Sequence, residues 1–518
     1  MTRYVHTGHA YSAFDSLVRT VELWLTTKTP GFADFGEQMV RERLIQRIVE
    51  VALWPFVRDL AKNVETGGDP LSARGERLDC GGVVLCPGAG KVAVSVRLII
   101  SSCLEFGLHW LYVLGAILSG MLSARANDLR PATLVFGVGQ ESLFDNGSDA
   151  RFIEYCRKGP IVPLTKANRV IVQIIAPRES VATNEFTYSR IPVATLIRCT
   201  HLSAAVRARL LLRHLMAPYI LLRAVIRFPP LILLARDIAY AIAIKVLDRN
   251  DFIEAVVITN STFTSQPLWM RDATDRKFAV HMVWYSQNVV PFVYVRDGHV
   301  SDVPNYRHVR ADQMWVWTNG FKDYLKKVGI SSLIHVVGPI LWYMPTPLRS
   351  HSDDDIRIAI FDVTPVRDAV ARRIGLIDNY YSTENMARFI EEAVSACREL
   401  EVVTGRRVRA LLKHKRNYNT SHDQRYIELI ESITMSGTGV ELVPFQSNMY
   451  SLVSECDASI VVPYSSPAYV ASHLGVRTIY FDPSAELAPT FETTPYIEFA
   501  SGRNELRRLL MDAISSRG

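Results

Sequence analysis

Residues 461–483 read VVPYSSPAYVASHLGVRTIYFDP. An apolar run opens the stretch, a Ser pair and a Pro follow, and a short helical pattern leads into a second apolar run ending in Asp-Pro. The pattern is strand, helix, strand. Repeated along a chain, that unit builds a doubly wound parallel sheet, whose ligands lie beyond the carboxyl ends of the strands. Ser466 suits the N-cap and Pro467 the first helical position, where its missing N–H costs nothing. Ala468, Ala471 and Leu474 then share one face, and Gly475 suits the C-terminal end. Such a helix offers free N–H groups and its positive dipole end to an anion, with Ser465 and Ser466 as added hydroxyl donors. Capping alone accounts for Ser466 and leaves Ser465 over. At the level of local pattern, a plain cap and a phosphate site both stay open.

The same texture runs outward from this stretch. From residue 131 short β-rich runs alternate with helical patterns: ATLVFGV, NRVIVQIIA, EAVVITNS, FAVHMVWYS, QMWVWT and IHVVGPI. A break rich in Pro, Ser and Asp, 342–357, reads as a linker. Beyond it the alternation restarts with IRIAIFDVTP, RVRALLKHKR, VELVPF, ASIVVPYS and RTIYFDP. The expected architecture is therefore α/β, with two facing Rossmann-like domains at 131–345 and 346–518. Residues 1–130 read as a mainly helical region, from periods such as MVRERLIQRIVEVALWPFVRDLAKNV.

A chain of 518 residues is long enough for more than one domain, and 48% hydrophobic with 21% charged residues fits a folded globular protein. The net charge of +6 is too weak a bias to suggest nucleic acid. The seven cysteines are odd in number and never spaced CxxC, which argues against a disulfide framework or zinc site and for a reducing cytoplasm. The N-terminal residues lack the apolar core of a signal peptide. Residues 106–124, FGLHWLYVLGAILSGMLSA, approach the ~20 residues of a membrane span. Residues 198–250 interleave Leu, Ile and Ala with Arg207, Arg209, Arg213, Arg223, Arg227 and Arg236, which suits an anionic membrane surface. Both segments also fit ordinary packed helices. Between the two membrane readings, peripheral attachment is expected over spanning.

At the strand ends of the second domain the sequence places Asp362, Thr364, Lys413, His414, Tyr464, Ser465 and Ser466. Hydroxyls, basic groups and few acids suit a diphosphate or nucleotide pocket. In the first domain Glu141, Asp145 and Asp149 follow the run at 133–136, where a general base for an acceptor hydroxyl would be needed; Glu141 lies nearest the strand end. Ser286 and Asn288 are expected as substrate contacts, and His281 as a core histidine. The GAGK at 88–91 is not a P-loop: Val92 stands where Ser or Thr would bind magnesium. HExxH, GxSxG and GxGxxG are all missing. The Asp353–Asp355 run falls in the linker and reads as solvated. No metal and no cofactor is expected, only a nucleotide-linked substrate.

These residues resemble a family. The 461–483 stretch, with Pro463-Tyr464-Ser465-Ser466, is similar to the signature of the PFTS-motif polysaccharide biosynthesis proteins, where a Pro-aromatic-Ser/Thr-Ser run precedes a helix and a strand ending in Asp-Pro. The segments LVFGVGQESLFDNGSDARFIEYCRKGPIVPL, VWYSQN and HVVGPILW resemble it in the same order, so the similarity spans roughly 130–485. More distantly, a Ser pair with a basic His loop resembles GT-B glycosyltransferases that use CMP-activated sugars. There the His is usually followed by Pro; here Lys415 follows His414. The resemblance implies a glycosyltransferase of bacterial surface-polysaccharide assembly, with a CMP- or UDP-linked sugar as donor and a glycan or lipid-linked glycan as acceptor. It implies donor-phosphate contacts from Ser465 and Ser466 and a nucleotide contact from His414; Lys413 is expected to hold the leaving phosphate with them, and direct displacement, with inversion of the anomeric centre, is the expected course. A nucleotide-sugar epimerase of the same architecture and a non-catalytic membrane-associated assembly factor are the rival expectations.

Overall fold

The computed structural model describes residues 18–19, 21–25, 35–65, 78–86, 91–122, 130–144, 148–174, 185–259, 266–271, 276–285, 293–295, 306–347, 355–373, 380–415, 417–435, 437, 439–489 and 494–515. The N-terminal region is mainly helical, with long helices at Glu37–Glu65 and Val96–Leu122. Between them lies an element the helical reading did not include, an antiparallel sheet of β1 (Leu78–Cys80), β2 (Val83–Cys86) and β3 (Lys91–Val94). Lys91 thus opens a strand, whereas the lysine of a P-loop leads into a helix.

The first large sheet contains β4 (Ala132–Phe136), β5 (Val170–Gln173), β6 (Phe186–Ser189), β7 (Ile253–Thr259) and β8 (Ala279–Val283). The short β9 (Val293–Tyr294) lies outside it, and β10 (Gln313–Val316) and β11 (Leu333–Val336) complete it. All its pairings are parallel, in the order β11-β10-β8-β7-β4-β5-β6. The second sheet contains β12 (Ile356–Phe361), β13 (Val408–Lys413), β14 (Val440–Val443), β15 (Ala458–Val461) and β16 (Arg477–Asp482). A separate β17 (Leu487–Ala488) precedes its edge strand β18 (Ile497–Ser501). This sheet is also parallel, in the order β14-β13-β12-β15-β16-β18. Central strands such as β12 and β15 are apolar because helices cover both faces, so nearly every side chain is buried.

Ranked within its own sheet, the second runs 3-2-1-4-5-6, and the first has the same order with one more strand added beyond the sixth. In such sheets the strand order reverses between the first and fourth strands, and that crevice receives ligands. It falls between β12 and β15 in the second domain and between β4 and β7 in the first.

The segment joining the domains is a packed wedge. Trp342, fully buried and held at φ 59°, meets Phe152 at 5.7 Å and Tyr155 at 5.6 Å between ring centroids. From the second domain Tyr450 donates to the Pro339 carbonyl at 3.1 Å, and the Met449 N–H donates to the Tyr343 hydroxyl at 3.1 Å. Gly338, at φ 78°, is required here: a Cβ would come within 2.9 Å of the His473 ring. A second link is the antiparallel pair β9–β17, with Leu487 opposite Tyr294.

The N-terminal helix Glu37–Glu65 docks on the first domain through ion pairs, of which Arg43–Asp237 is buried. Arg43 Nε lies 2.8 Å from Asp237 Oδ2, and Arg310 binds Glu42 through Nη2 at 2.8 Å and Nε at 2.9 Å. Of the basic-apolar segment 198–250, only the helices Ala204–Leu215 and Ala217–Arg227 expose an apolar-basic face. Helix Ala235–Arg249 is mostly buried. The apolar segment expected at 106–124 is the later part of the longer helix Val96–Leu122, whose residues Val96–Gly120 are long and apolar enough to cross a membrane. That helix packs one face on the domain through Phe106, Val113, Ala116 and Ile117.

Candidate functional site

Parallel register builds the site. β12 pairs with β13 so that Phe361 faces Lys413, and with β15 so that Phe361 faces Val461. The next residues along the three strands, Asp362, His414 and Val462, are therefore neighbours at the crevice of the second sheet.

Asp362 is the hub. Its Oδ2 lies 3.0 Å from His414 Nδ1 and accepts from the Tyr426 hydroxyl at 2.7 Å, while Oδ1 accepts the Lys415 N–H at 3.0 Å. Thr364 Oγ1 adds a long contact at 3.5 Å. With Nδ1 turned to the carboxylate, His414 presents Nε2 outward, where it meets the Tyr418 hydroxyl at 2.5 Å. Burial and the Asp362 charge push the Tyr426 and Tyr418 hydroxyls above their usual range, so both stay neutral donors. Lys413 is buried and gives its ammonium to the Phe445 carbonyl. Burial pulls its pKa down, against the pull of Asp362.

The Ser pair sits one position from where the sequence reading put it. Ser465 is the N-cap, Ser466 and Pro467 are the first two residues of helix Ser466–His473, and Leu474 is the C-cap ahead of Gly475 at φ 74°. The Ser465 hydroxyl does not cap; it donates to the Val462 carbonyl at 2.7 Å. Its proton is already committed, so it is no free donor to a phosphate. The helix N-terminus carries no side-chain cap. Tyr464, just before it, takes φ 59° and donates its hydroxyl to the Ala488 carbonyl of β17. Asp482, at the end of β16, is buried and filled by Tyr380, Ser484 and the Leu487 N–H. Further along the same helix, Tyr469 lies edge-on to Trp317, just past the carboxyl end of β10. The two domains thus meet near the carboxyl ends of β10 and β15.

On the first domain, β4 runs into Gly137 at φ 81°, whose carbonyl accepts the Thr259 hydroxyl at 2.7 Å. Glu141 lies in the short helix Gln140–Leu143, and its side chain lies outside the described residues, as do Asp145, Ser286 and Asn288. Asp149 is buried and accepts from the Tyr188 hydroxyl at 2.6 Å. It occupies the N-cap position of helix Ala150–Lys158 but makes no capping bond. His281 is buried and tilted against Trp315 at 6.3 Å, with no partner for Nδ1 among the described residues. Burial pushes its pKa down to about 4, which suits the core role expected of it. Among the described residues no group of three or more His, Cys, Asp or Glu is placed to hold a metal ion.

Sequence reasoning missed a basic cavity in the first domain. It has a volume of about 200 Å³ and reaches Phe136 and Ile258 at the ends of β4 and β7. Arg43, Arg47, Arg190 and Arg236 line it with Asp237 and His109. Of its four arginines only Arg236 belongs to the basic run at 207–236.

Among curated proteins none matches the chain. Solved structures match at low identity. A mutant of S. aureus TarM in complex with UDP is 8% identical at TM-score 0.33, covering 55% of this chain and 52% of that one. The wall teichoic acid polymerase TagF is 12% identical at TM-score 0.39, covering 81% and 90%. Anabaena HepE in complex with UDP and glucose is 10% identical at TM-score 0.35, covering 75% and 90%. The chain spans about half the length of the first of these. A family model for polysaccharide biosynthesis PFTS motif proteins matches residues 220–510. That span holds the wedge at 335–342, the Asp362–His414 pair and the Pro-Tyr-Ser-Ser run; the loop at 134–164 lies before it. The chain belongs to the PFTS-motif polysaccharide biosynthesis family.

Proposed function

We propose that this protein is a glycosyltransferase of surface-polysaccharide assembly. A nucleotide sugar sits on the second domain and a glycan acceptor on the first, and the sugar moves across the cleft. The observation that carries the reading is that His414, held by Asp362 at the end of β13, and the N-terminus of helix Ser466–His473, which follows β15 and has no side-chain cap, both lie at the carboxyl ends of the strands flanking β12. A helix N-terminus with an adjacent imidazole stabilises the negative charge that grows on a leaving phosphate. The backbone at Ser465 and Ser466 takes the phosphate in this reading, and Lys413 sets the local potential from beneath. Asp362 and Asp482 have their oxygens filled by protein donors, which favours charge stabilisation by the protein rather than by a bound cation. Direct displacement by an acceptor hydroxyl inverts the anomeric centre, and Glu141 is the base proposed for it. In the same reading the enzyme works at the inner face of the membrane, attached peripherally.

The test is a melting-temperature screen with CMP, UDP, GDP and TDP. Binding to the native state alone raises the melting point, by about 2.7 kcal/mol of stability at a hundredfold excess over Kd. One nucleotide is expected to stabilise the wild type, less so His414→Gln. If none does, the donor site is wrong. Release of free nucleotide only when acceptor glycan is present separates transfer from epimerisation.

A further inference from the structure

The basic cavity of the first domain is not used by the donor site. Its walls come from helix Glu37–Glu65 (Arg43, Arg47), helix Val96–Leu122 (His109), helix Ala235–Arg249 (Arg236, Asp237, Tyr240) and the strand ends. Arg43 is tied to Asp237, and Arg47 and Arg236 share Glu105 at 3.6 and 3.4 Å, with Glu50 a further 2.9 Å partner of Arg47. Arg190 has no carboxylate partner among the described residues and is exposed beside the cavity. Ile191, Pro192 and Val193, which start helix Pro192–Cys199, also line it, and that N-terminus has no side-chain cap. Arginines and an uncapped helix start together select an anion, and planar guanidinium groups suit phosphate oxygens. The position, reaching the crevice between β4 and β7, is where a doubly wound sheet takes its ligand.

The helix that brings His109 to the cavity also carries an apolar ridge. Helix Val96–Leu122 exposes Val96, Ile100, Leu104, Leu108, Leu111 and Leu118, spaced mostly three or four residues apart along one face. His109, beside Leu108, reaches the cavity wall and contacts the Tyr240 hydroxyl. Trp110 stacks on His214 at 5.5 Å, which joins this helix to helix Ala204–Leu215; Leu212 and Leu215 there, and Tyr219, Leu222 and Ile226 on helix Ala217–Arg227, are further exposed apolar residues. Arg209, Arg213, Arg223 and Arg227 are exposed among them. Apolar side chains rimmed by arginines complement an anionic bilayer surface.

We propose that the cavity seats the phosphate of a membrane-borne lipid that carries the acceptor glycan, while the ridge rests on the bilayer around it. The assignment deepens the glycosyltransferase reading and rests on it for the word acceptor; the phosphate-lipid site itself does not need the donor site. Arg190 and Arg236 reach the phosphate first, since both are exposed, and Arg43 and Arg47 set the potential behind them.

The test is vesicle flotation of the full chain. One set of phosphatidylcholine vesicles carries a long-chain isoprenyl phosphate, and a second carries phosphatidylglycerol at equal surface charge. The wild type is expected to bind the first set about tenfold more tightly, one decade being a usual loss for one charge-assisted contact. Arg190→Ala with Arg236→Ala should erase that preference while keeping phosphatidylglycerol binding, the melting temperature and nucleotide binding. Arg190→Glu alone serves as the second variant. Equal binding of both vesicle sets, or a preference that survives the substitutions, overturns the proposal. A melting rise with soluble inorganic pyrophosphate, lost in the variants but without any vesicle preference, overturns the lipid source. Vesicle preference without nucleotide binding supports the cavity and counts against the donor site instead.

Discussion

His414 Nδ1 lies 3.0 Å from Asp362 Oδ2, across adjacent parallel strands, and the same carboxylate also accepts from Tyr426 and Lys415. One buried anion thus organises the whole strand-end cluster. Asp362→Ala would strand three donors at once and is expected to cost about 3–5 kcal/mol in denaturant unfolding. His414→Gln keeps polar reach and should cost less than about 1.5 kcal/mol, yet lower nucleotide affinity about tenfold or more. If calorimetry finds the affinity of His414→Gln unchanged, the pair is a scaffold only.

Trp342, in the segment that joins the domains, is fully buried against Phe152 and Tyr155 of the first. Trp342→Ala should lose about 3–5 kcal/mol from cavity formation. Because the lost contacts bridge the linker and the first domain, the scattering radius of gyration should also rise. A variant that unfolds early but keeps its wild-type radius would show that Trp342 stabilises one domain and not their docking.

The two sheets were legible because buried parallel strands are continuous apolar runs, as in IRIAIF and ASIV. The edge strands β6 and β18 escaped notice: FTYS and IEFAS alternate polar with apolar and resemble loops. Asp362 and His414 were each readable as strand-end residues, but their pairing depends on register between strands about 50 residues apart in sequence, which no local pattern encodes. The cap at Ser465 shifted by one because its hydroxyl satisfies a carbonyl behind it rather than an N–H ahead. The arginine cavity was invisible for a similar reason, its walls coming from elements far apart in the sequence, from Arg43 to Met270.

His281 carries a pH signature. Burial holds it at about 4 in the folded chain, with Arg276 and His335 also opposing the proton and Asp312 favouring it. Unfolded, it titrates near 6.5. Between those values the unfolded state binds more protons, so stability rises with pH there. It falls as the solution is acidified through the same window, by on the order of 3 kcal/mol. His281→Leu removes the proton-binding group and should flatten that limb in urea titrations run from neutral to acid pH. An unaltered limb would assign the acid sensitivity to other groups.

Peripheral attachment predicts salt-sensitive binding. Each exposed arginine near an anionic surface contributes roughly 1 kcal/mol. Replacing Arg209, Arg213, Arg223 and Arg227 by Gln should therefore weaken sedimentation with phosphatidylglycerol vesicles by a hundredfold or more. Leu104→Ser with Leu108→Ser, on the other helix, should weaken it independently of salt. Retained binding in both variants would remove the ridge from the membrane contact.

The vacant capping role at Ser465 gives the sharpest test of the anion seat. The helix that starts at Ser466 has no side-chain cap, and Pro467 at its second position has no N–H to satisfy. A carboxylate at 465 would lie beside the first turn of the helix and complement its dipole, a gain of about 0.5–1 kcal/mol. It would also release the bond to the Val462 carbonyl, a loss of similar size. Ser465→Asp should therefore leave the melting temperature near that of the wild type. If the helix start binds the donor phosphate, the same carboxylate occupies its place and repels it, and nucleotide affinity should drop by at least tenfold. Ser465→Ala, which removes the hydroxyl but leaves the helix start open, should keep most of the affinity. A stable Ser465→Asp protein that still binds nucleotide as the wild type does would move the phosphate away from this helix.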